Sequence, residues 1–203
     1  MCGRYFLERR FTSLETAREF QHAERVAERL SVHMKTEGEI RPTDTAPVIA
    51  PSREGRRPDA FPMRWGFEHP TRGMLVFNTR SETAHEKAMF ADSINERRCL
   101  IPASRYFEWK KNEEGRKERY AFFAEDGGPL LIAGLYVRPP QGLILPCFTI
   151  LTRDADRSIR ALHPRMPVLV PETRAEEWLS GKTDLPDMLQ RLNVAVAAER
   201  ALP

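Results

Sequence analysis

Arg105-Tyr106-Phe107-Glu108-Trp109-Lys110-Lys111 and, a few residues on, Tyr120-Ala121-Phe122-Phe123-Ala124 decide how this chain is read. Both are short and aromatic-rich, which suits a pleated, half-buried surface. The charged, Gly-containing stretch between them, residues 111–117, reads as an exposed hairpin tip. Working outward, runs of the same kind recur at 61–67, 74–78, 100–101, 130–137 and 143–152, with shorter ones at 47–50 and 168–170. Gly, Pro or charged turns such as Asp126-Gly127-Gly128-Pro129 separate them. Helical patterns are scattered among them. Residues 13–30 carry an apolar stripe of Leu14, Ala17, Phe20, Ala27 and Leu30, and 81–91 begins with a capping Ser81. Residues 154–162 and 171–180 are shorter helix candidates, the second stopped by Gly181. Strands and helices do not alternate as βαβ units. The expected class is therefore α+β, with a barrel-like, mostly antiparallel β core and peripheral helices. No repeat or linker interrupts the chain, so residues 1–203 are expected to form a single domain, 181–203 being a short tail.

Composition narrows the function. The chain has 203 residues, 41% hydrophobic and 30% charged, enough to bury a core without covalent staples. It has no apolar run near the ~18 residues of a membrane span and no signal-peptide pattern at its start. Cysteines at positions 2, 99 and 147 with no CxxC pair exclude a disulfide framework and a zinc ribbon, and point to a reducing, cytoplasmic setting. Cys99 and Cys147 lie in apolar, strand-like surroundings and are expected in the core. A net charge of +3 permits a polyanionic partner without demanding one.

The phosphate-loop, dinucleotide, zincin and nucleophile-elbow motifs are absent, which leaves four polar residues in unusual places. Cys2 follows Met1 directly, and a small second residue permits removal of that Met. A terminal Cys places an amine and a thiol on adjacent atoms. Together they can convert an aldehyde first to an imine and then to a five-membered thiazolidine. By position alone, Cys2 reads first as an incidental small residue. Asn78 ends an apolar run and either makes a turn or orients the Cys2 amine. Glu108 shares a strand face with Tyr106. It is either a desolvated carboxyl raised toward acid–base use or a surface Glu paired to Lys110 or Lys111. His163, between a helix candidate and a strand in Leu162-His163-Pro164-Arg165, is either a proton carrier or a structural histidine. The other four histidines lie in polar surroundings and are expected at the surface.

Taken together, these residues resemble the SOS response-associated peptidase (SRAP) family of abasic-site-processing proteins. The matching stretches are Met1-Cys2-Gly3-Arg4-Tyr5-Phe6, Met63-Arg64-Trp65-Gly66-Phe67 and Phe77-Asn78-Thr79-Arg80-Ser81-Glu82-Thr83. Cys99-Leu100-Ile101-Pro102, Tyr106-Phe107-Glu108-Trp109-Lys110 and His163-Pro164-Arg165-Met166-Pro167 follow in family order. The resemblance implies a basic cleft for single-stranded DNA and covalent capture of abasic sites by Cys2 as a thiazolidine, once Met1 is gone. It implies that Asn78 orients the amine and the opened sugar, that Glu108 acts as acid and base, and that His163 helps to open the sugar ring. Arg4, Arg80 and Arg165 would contact phosphates or the abasic site, and Pro42 and Thr152 would line the cleft. It implies a monomer with single-stranded DNA containing abasic sites as partner, no membrane association, and no metal or organic cofactor. The chain departs from the family pattern in the loop after Gly66, at its short C-terminal end, and at Glu39, where an Asn is usual. Two other readings stand beside this one: a cysteine autopeptidase acting on its own N-terminus or a modified peptide, and a non-catalytic single-stranded nucleic-acid binder.

Overall fold

A computed structural model describes residues 2–8, 14–52, 57–69 and 71–201, with the side chains of 14–19 excepted. The strands are β1 (Tyr5–Leu7), β2 (Gly38–Ile40), β3 (Thr45–Pro51), β4 (Pro58–Trp65), β5 (Phe67–Glu68), β6 (Leu75–Val76) and β7 (Asn78–Arg80). They continue with β8 (Arg98–Ala103), β9 (Arg105–Lys111), β10 (Lys117–Ala124), β11 (Leu130–Val137), β12 (Cys147–Asp154), β13 (Arg165–Pro167) and β14 (Val196–Arg200). The α-helices are α1 (Leu14–Arg29), α2 (Ala91–Glu96), α3 (Ala175–Ser180) and α4 (Leu185–Gln190).

The aromatic runs at 105–111 and 117–124 form the expected hairpin, with Trp109 opposite Arg119 and Phe107 opposite Ala121. This hairpin is the middle of a five-stranded sheet in the order β14-β10-β9-β1-β2. Strands β11, β8, β3, β4 and β12 pair in succession, and β12 pairs back to β11, which closes a barrel. The pairings are antiparallel except where β12 runs parallel to β4 and to β7. The class is therefore α+β with a barrel-like, mostly antiparallel core, as the runs of strands suggested.

The barrel strands are buried on both faces. On β8, Cys99, Ile101 and Ala103 point to the cluster that holds Tyr5, Trp65, Tyr106 and Phe148. The alternate residue Leu100 joins a second cluster with Phe90, Trp178 and Met188, supplied by the peripheral helices. Two buried faces explain why these strands read as continuous apolar runs. Cys99 and Cys147 are fully buried, as expected. Closure also requires a small residue: a Cβ on Gly134 would come within 2.5 Å of Ile101 Cδ1 and 2.9 Å of the Thr149 carbonyl.

Several local readings differ. Residues 81–91 were expected to form one helix capped by Ser81. They form two 3-10 turns, Ser81–Glu86 and Ala88–Phe90, before α2, and no side chain caps the first. Lys87, extended at φ −99° and ψ 113°, breaks the segment between the two turns. Residues 154–162 form turns instead of a helix. Arg153 and Asp156 join through two 2.7 Å hydrogen bonds, and β12 runs on to Asp154. The 168–170 strand is displaced: β13 ends at Pro167, and only Leu169 bridges to Ile132. The segment from Gly181, expected as a tail, contains α4 and the edge strand β14, which pairs with β10 over five residues. Among the described residues, no helix is long and apolar enough to cross a membrane.

Gly181 ends α3 in the left-handed region at φ 65°, and a Cβ there would lie 1.8 Å from the Asn95 carbonyl oxygen. Gly181→Ala is expected to lower stability by at least about 2 kcal/mol, because backbone strain and a backbone clash add. Chemical denaturation followed by circular dichroism reads this as a lower midpoint at unchanged slope.

Candidate active site

Strand pairing brings four distant segments to one seam between the five-stranded sheet and the barrel. β1 lies between β9 and β2, with Tyr5 opposite Tyr106. The Phe107 amide donates to the Arg4 carbonyl at 3.0 Å, which extends this pairing and lays residues 2–4 along Glu108. From the barrel side, β7 runs parallel to β12, setting Asn78 beside Ile150 and Arg80 beside Thr152. β13 completes the wall, with Pro167 opposite Thr152 and Arg165 opposite Asp154.

Cys2 is 1% exposed, and its thiol donates to the Arg4 carbonyl at 3.7 Å. Burial pushes the thiol far above its usual range, and the Glu108 charge pushes the same way. Asn78 Nδ2 donates to the Cys2 carbonyl at 2.7 Å, across 76 residues of chain. Its Oδ1 is buried with no hydrogen-bond partner among the described residues. Asn78 thus meets Cys2, though through the backbone carbonyl.

Glu108 is 4% exposed, so it is not the surface glutamate that a pairing with Lys110 or Lys111 would require. Burial pushes its carboxyl up to about 7. Its Oε2 stands 3.6 Å from His163 Nε2. His163 Nδ1 is 2.7 Å from the Arg165 carbonyl. A carbonyl oxygen only accepts, so Nδ1 carries the proton and Nε2 presents a lone pair to Glu108. Burial also holds the imidazole below its ordinary pKa. The carboxyl and the imidazole therefore favour an arrangement with the proton on the carboxyl, which can give a proton to a nearby group, while Nε2 can accept one.

The remaining expected residues divide. Arg80 is exposed and has no carboxylate partner among the described residues. Arg165 is engaged: Nη1 and Nη2 grip Glu82 at 2.7 and 2.9 Å, Nη1 reaches Asp154 at 2.6 Å, and Nη2 reaches the Thr152 carbonyl at 2.7 Å. Thr152 is fully buried, with Oγ1 donating to the Thr79 carbonyl at 3.4 Å. Arg4 pairs with Glu39 at 3.2 Å. Pro42 is half-buried in the turn after β2. Among the described residues, no group of three or more His, Cys, Asp or Glu side chains is placed to hold a metal ion.

Sequence reading missed several residues here. The Tyr5 and Tyr106 hydroxyls are buried without partners among the described residues, and burial pushes both phenols up. Glu82, Arg41 and Arg119 were also missed, because their roles appear only when separate strands meet. An open pocket of about 610 Å³ adjoins Asn78, lined by Met74, Leu75, Val76, Phe77 and Met89, with Arg72 and Lys87 at its border. An exposed Met74 in an otherwise polar loop was the available signal.

The family model described as SOS response associated peptidase (SRAP) matches residues 1–202. The abasic site processing protein YoqW of Bacillus subtilis is 29% identical over 204 residues, spanning 95% of this chain and 86% of its own. The abasic site processing protein YoaM of the same organism is 31% identical over 166 residues, spanning 76% of this chain and 73% of its own. Among solved structures, a protein from Bordetella bronchiseptica superposes with a TM-score of 0.71 at 24% identity, covering 100% of both chains. A phage-related protein of that organism gives 0.72 at 22%, covering 98% of this chain and 94% of its own. At these identities the solved structures speak for the fold.

The Glu108 environment has a consequence for stability. The folded carboxyl keeps its proton to about 7, whereas its unperturbed value is 4.5. Between these values the folded state binds more protons, so stability falls as pH rises. Glu108→Gln removes that term. Its stability relative to wild type is expected to rise by about 3 kcal/mol from pH 4 to pH 8, read by thermal melts across that range.

Proposed function

This chain belongs to the SOS response associated peptidase (SRAP) family, and from that premise we propose that it captures abasic sites in single-stranded DNA through Cys2, after Met1 is removed. One observation supports this above the others: Asn78 holds the Cys2 carbonyl at 2.7 Å while its own Oδ1 stays buried with no partner among the described residues. Removal of Met1 turns the Cys2 nitrogen into an amine, for which Oδ1 is a ready acceptor. The curated relatives above carry the name abasic site processing protein, which is the activity extended here.

The chemistry needs no more than these side chains. An abasic sugar is mainly a closed hemiacetal. Opening it takes the proton from the C1′ hydroxyl and delivers one to the ring oxygen, a task for His163 and Glu108. The Cys2 amine then adds to the C1′ aldehyde, and Glu108 protonates the departing hydroxyl, so that imine and one water form. The thiol adds across the C=N bond, sulfur to carbon and proton to nitrogen, closing the thiazolidine. A carboxyl near 7 suits both proton donation and return at neutral pH. A thiol kept protonated by burial carries the proton that the last step delivers. The pocket beside Asn78 offers an apolar berth for a neighbouring nucleobase, with Arg72 and Lys87 near its phosphates.

The test uses a uracil-containing oligonucleotide treated with uracil glycosylase. Wild type is expected to give a heat-stable shifted band on a denaturing gel, and Cys2→Ala none. Glu108→Gln is expected to slow formation of the band by roughly 10²-fold. A band that persists in Cys2→Ala, or no band with wild type, refutes the reading. Cys2→Ser keeps the amine but lacks the thiol. It is expected to divert the imine toward β-elimination, cutting the strand 3′ to the site.

A further inference from the structure

The outer face of the five-stranded sheet contains an arrangement that the reaction just described does not use. Glu39, on β2, receives Arg4 Nη1 at 3.2 Å, Arg41 Nε and Nη2 at 2.8 Å, and Arg119 Nη2. Three guanidiniums surround one carboxylate, so positive charge is left in surplus. Aromatic rings hold two of the three in place. Arg4 Cζ lies 5.0 Å from the Trp109 ring centroid, and Arg119 Cζ lies 3.7 Å from that of Phe107. Arg119 Nε is buried with no hydrogen-bond partner among the described residues. The other two remain open to solvent, the Arg4 side chain at 36% and Arg41 at 58% exposure. Arg41 spends Nε and Nη2 on Glu39, which leaves Nη1 donors for a second acceptor.

A lone acid–base pair on a solvated face has none of these features. Here the donors sit just before β1, just after β2 and on β10, two of them are fixed by stacking, all three share one internal counter-ion, and one of them is two residues from Cys2. We infer that Arg4, Arg41 and Arg119 form a seat for a phosphodiester of the single strand held at Cys2, with Glu39 fixing the three guanidiniums in place. The inference rests on the proposed function for its ligand. It adds Arg41 and Arg119 as DNA-positioning residues. A phosphate binding here adds to the guanidinium donors that Glu39 leaves free.

The test is the salt dependence of binding to an undamaged, fluorescent single-stranded oligonucleotide, read by anisotropy with the full chain. Arg41→Ala is expected to weaken binding several-fold and to lower the log–log salt slope by about 0.7, the loss of one phosphate contact on a single strand. Arg191→Ala removes the same charge from the end of α4, where Arg191 pairs with Glu177 at 3.3 Å. It is expected to leave both quantities at wild-type values. A wild-type slope in Arg41→Ala, or an equal loss in Arg191→Ala, overturns the seat. Arg119→Lys, which keeps the charge but loses the planar fork, is expected to weaken binding at unchanged slope; wild-type affinity in that variant also counts against the seat. Capture of an abasic oligonucleotide is measured alongside. Failure of wild type to capture refutes the proposed function itself, whereas capture with an unaltered Arg41→Ala slope refutes only this inference.

Discussion

A carboxyl buried between two sheets is the constraint on which the rest of this site depends. Glu108 stands on β9 with Cys2 on one side and His163 on the other, 3.6 Å away. A charge in that position is costly, so the group favours its proton and becomes an acid usable at neutral pH. Every neighbouring element contributes to that burial. β1 lays the Cys2 arm along it, β12 and β13 bring in the His163 loop, and the stacked Tyr106 and Phe122 rings close the floor at 4.8 Å. Removing any one of these would admit water and return the carboxyl toward its ordinary range.

The fold was legible where the signal was local. The aromatic hairpin at 105–124, the buried strand at Leu130–Val137 and the stop at Gly181 all follow from patterns that a few residues carry. The parallel pairings of β12 with β4 and β7 depend on residues more than seventy positions apart, and no local pattern announces them. β14 was missed because Val196–Arg200 is short and polar at its end, so only its partner β10 makes it a strand. Residues 154–162 looked helical by spacing, but the paired Arg153 and Asp156 side chains and Pro164 favour turns.

The site was legible as a set of residues but not as a set of contacts. Cys2, Asn78, Glu108 and His163 were picked out individually, and the structure brings them to one seam. Their connections were hidden. Asn78 reaches Cys2 through its carbonyl, and Arg165 is already committed to Glu82 and Asp154. The net charge of +3 also hid the local balance. Most of the expected phosphate-contacting arginines have internal carboxylate partners, which orient them, while Arg80 is exposed with none among the described residues. A charge count cannot separate an arginine that is oriented from one that is merely solvated.

In this mechanism the amine and thiol of Cys2 together form the bond to DNA. Intact mass spectrometry of the complex formed with an abasic oligonucleotide, with no reductant added, tests this most directly. The expected mass equals the chain without Met1 plus the oligonucleotide minus one water, with the adduct mapping to Cys2 after digestion. A complex that retains Met1, or an adduct that maps to an internal lysine and survives only after reduction, would contradict it.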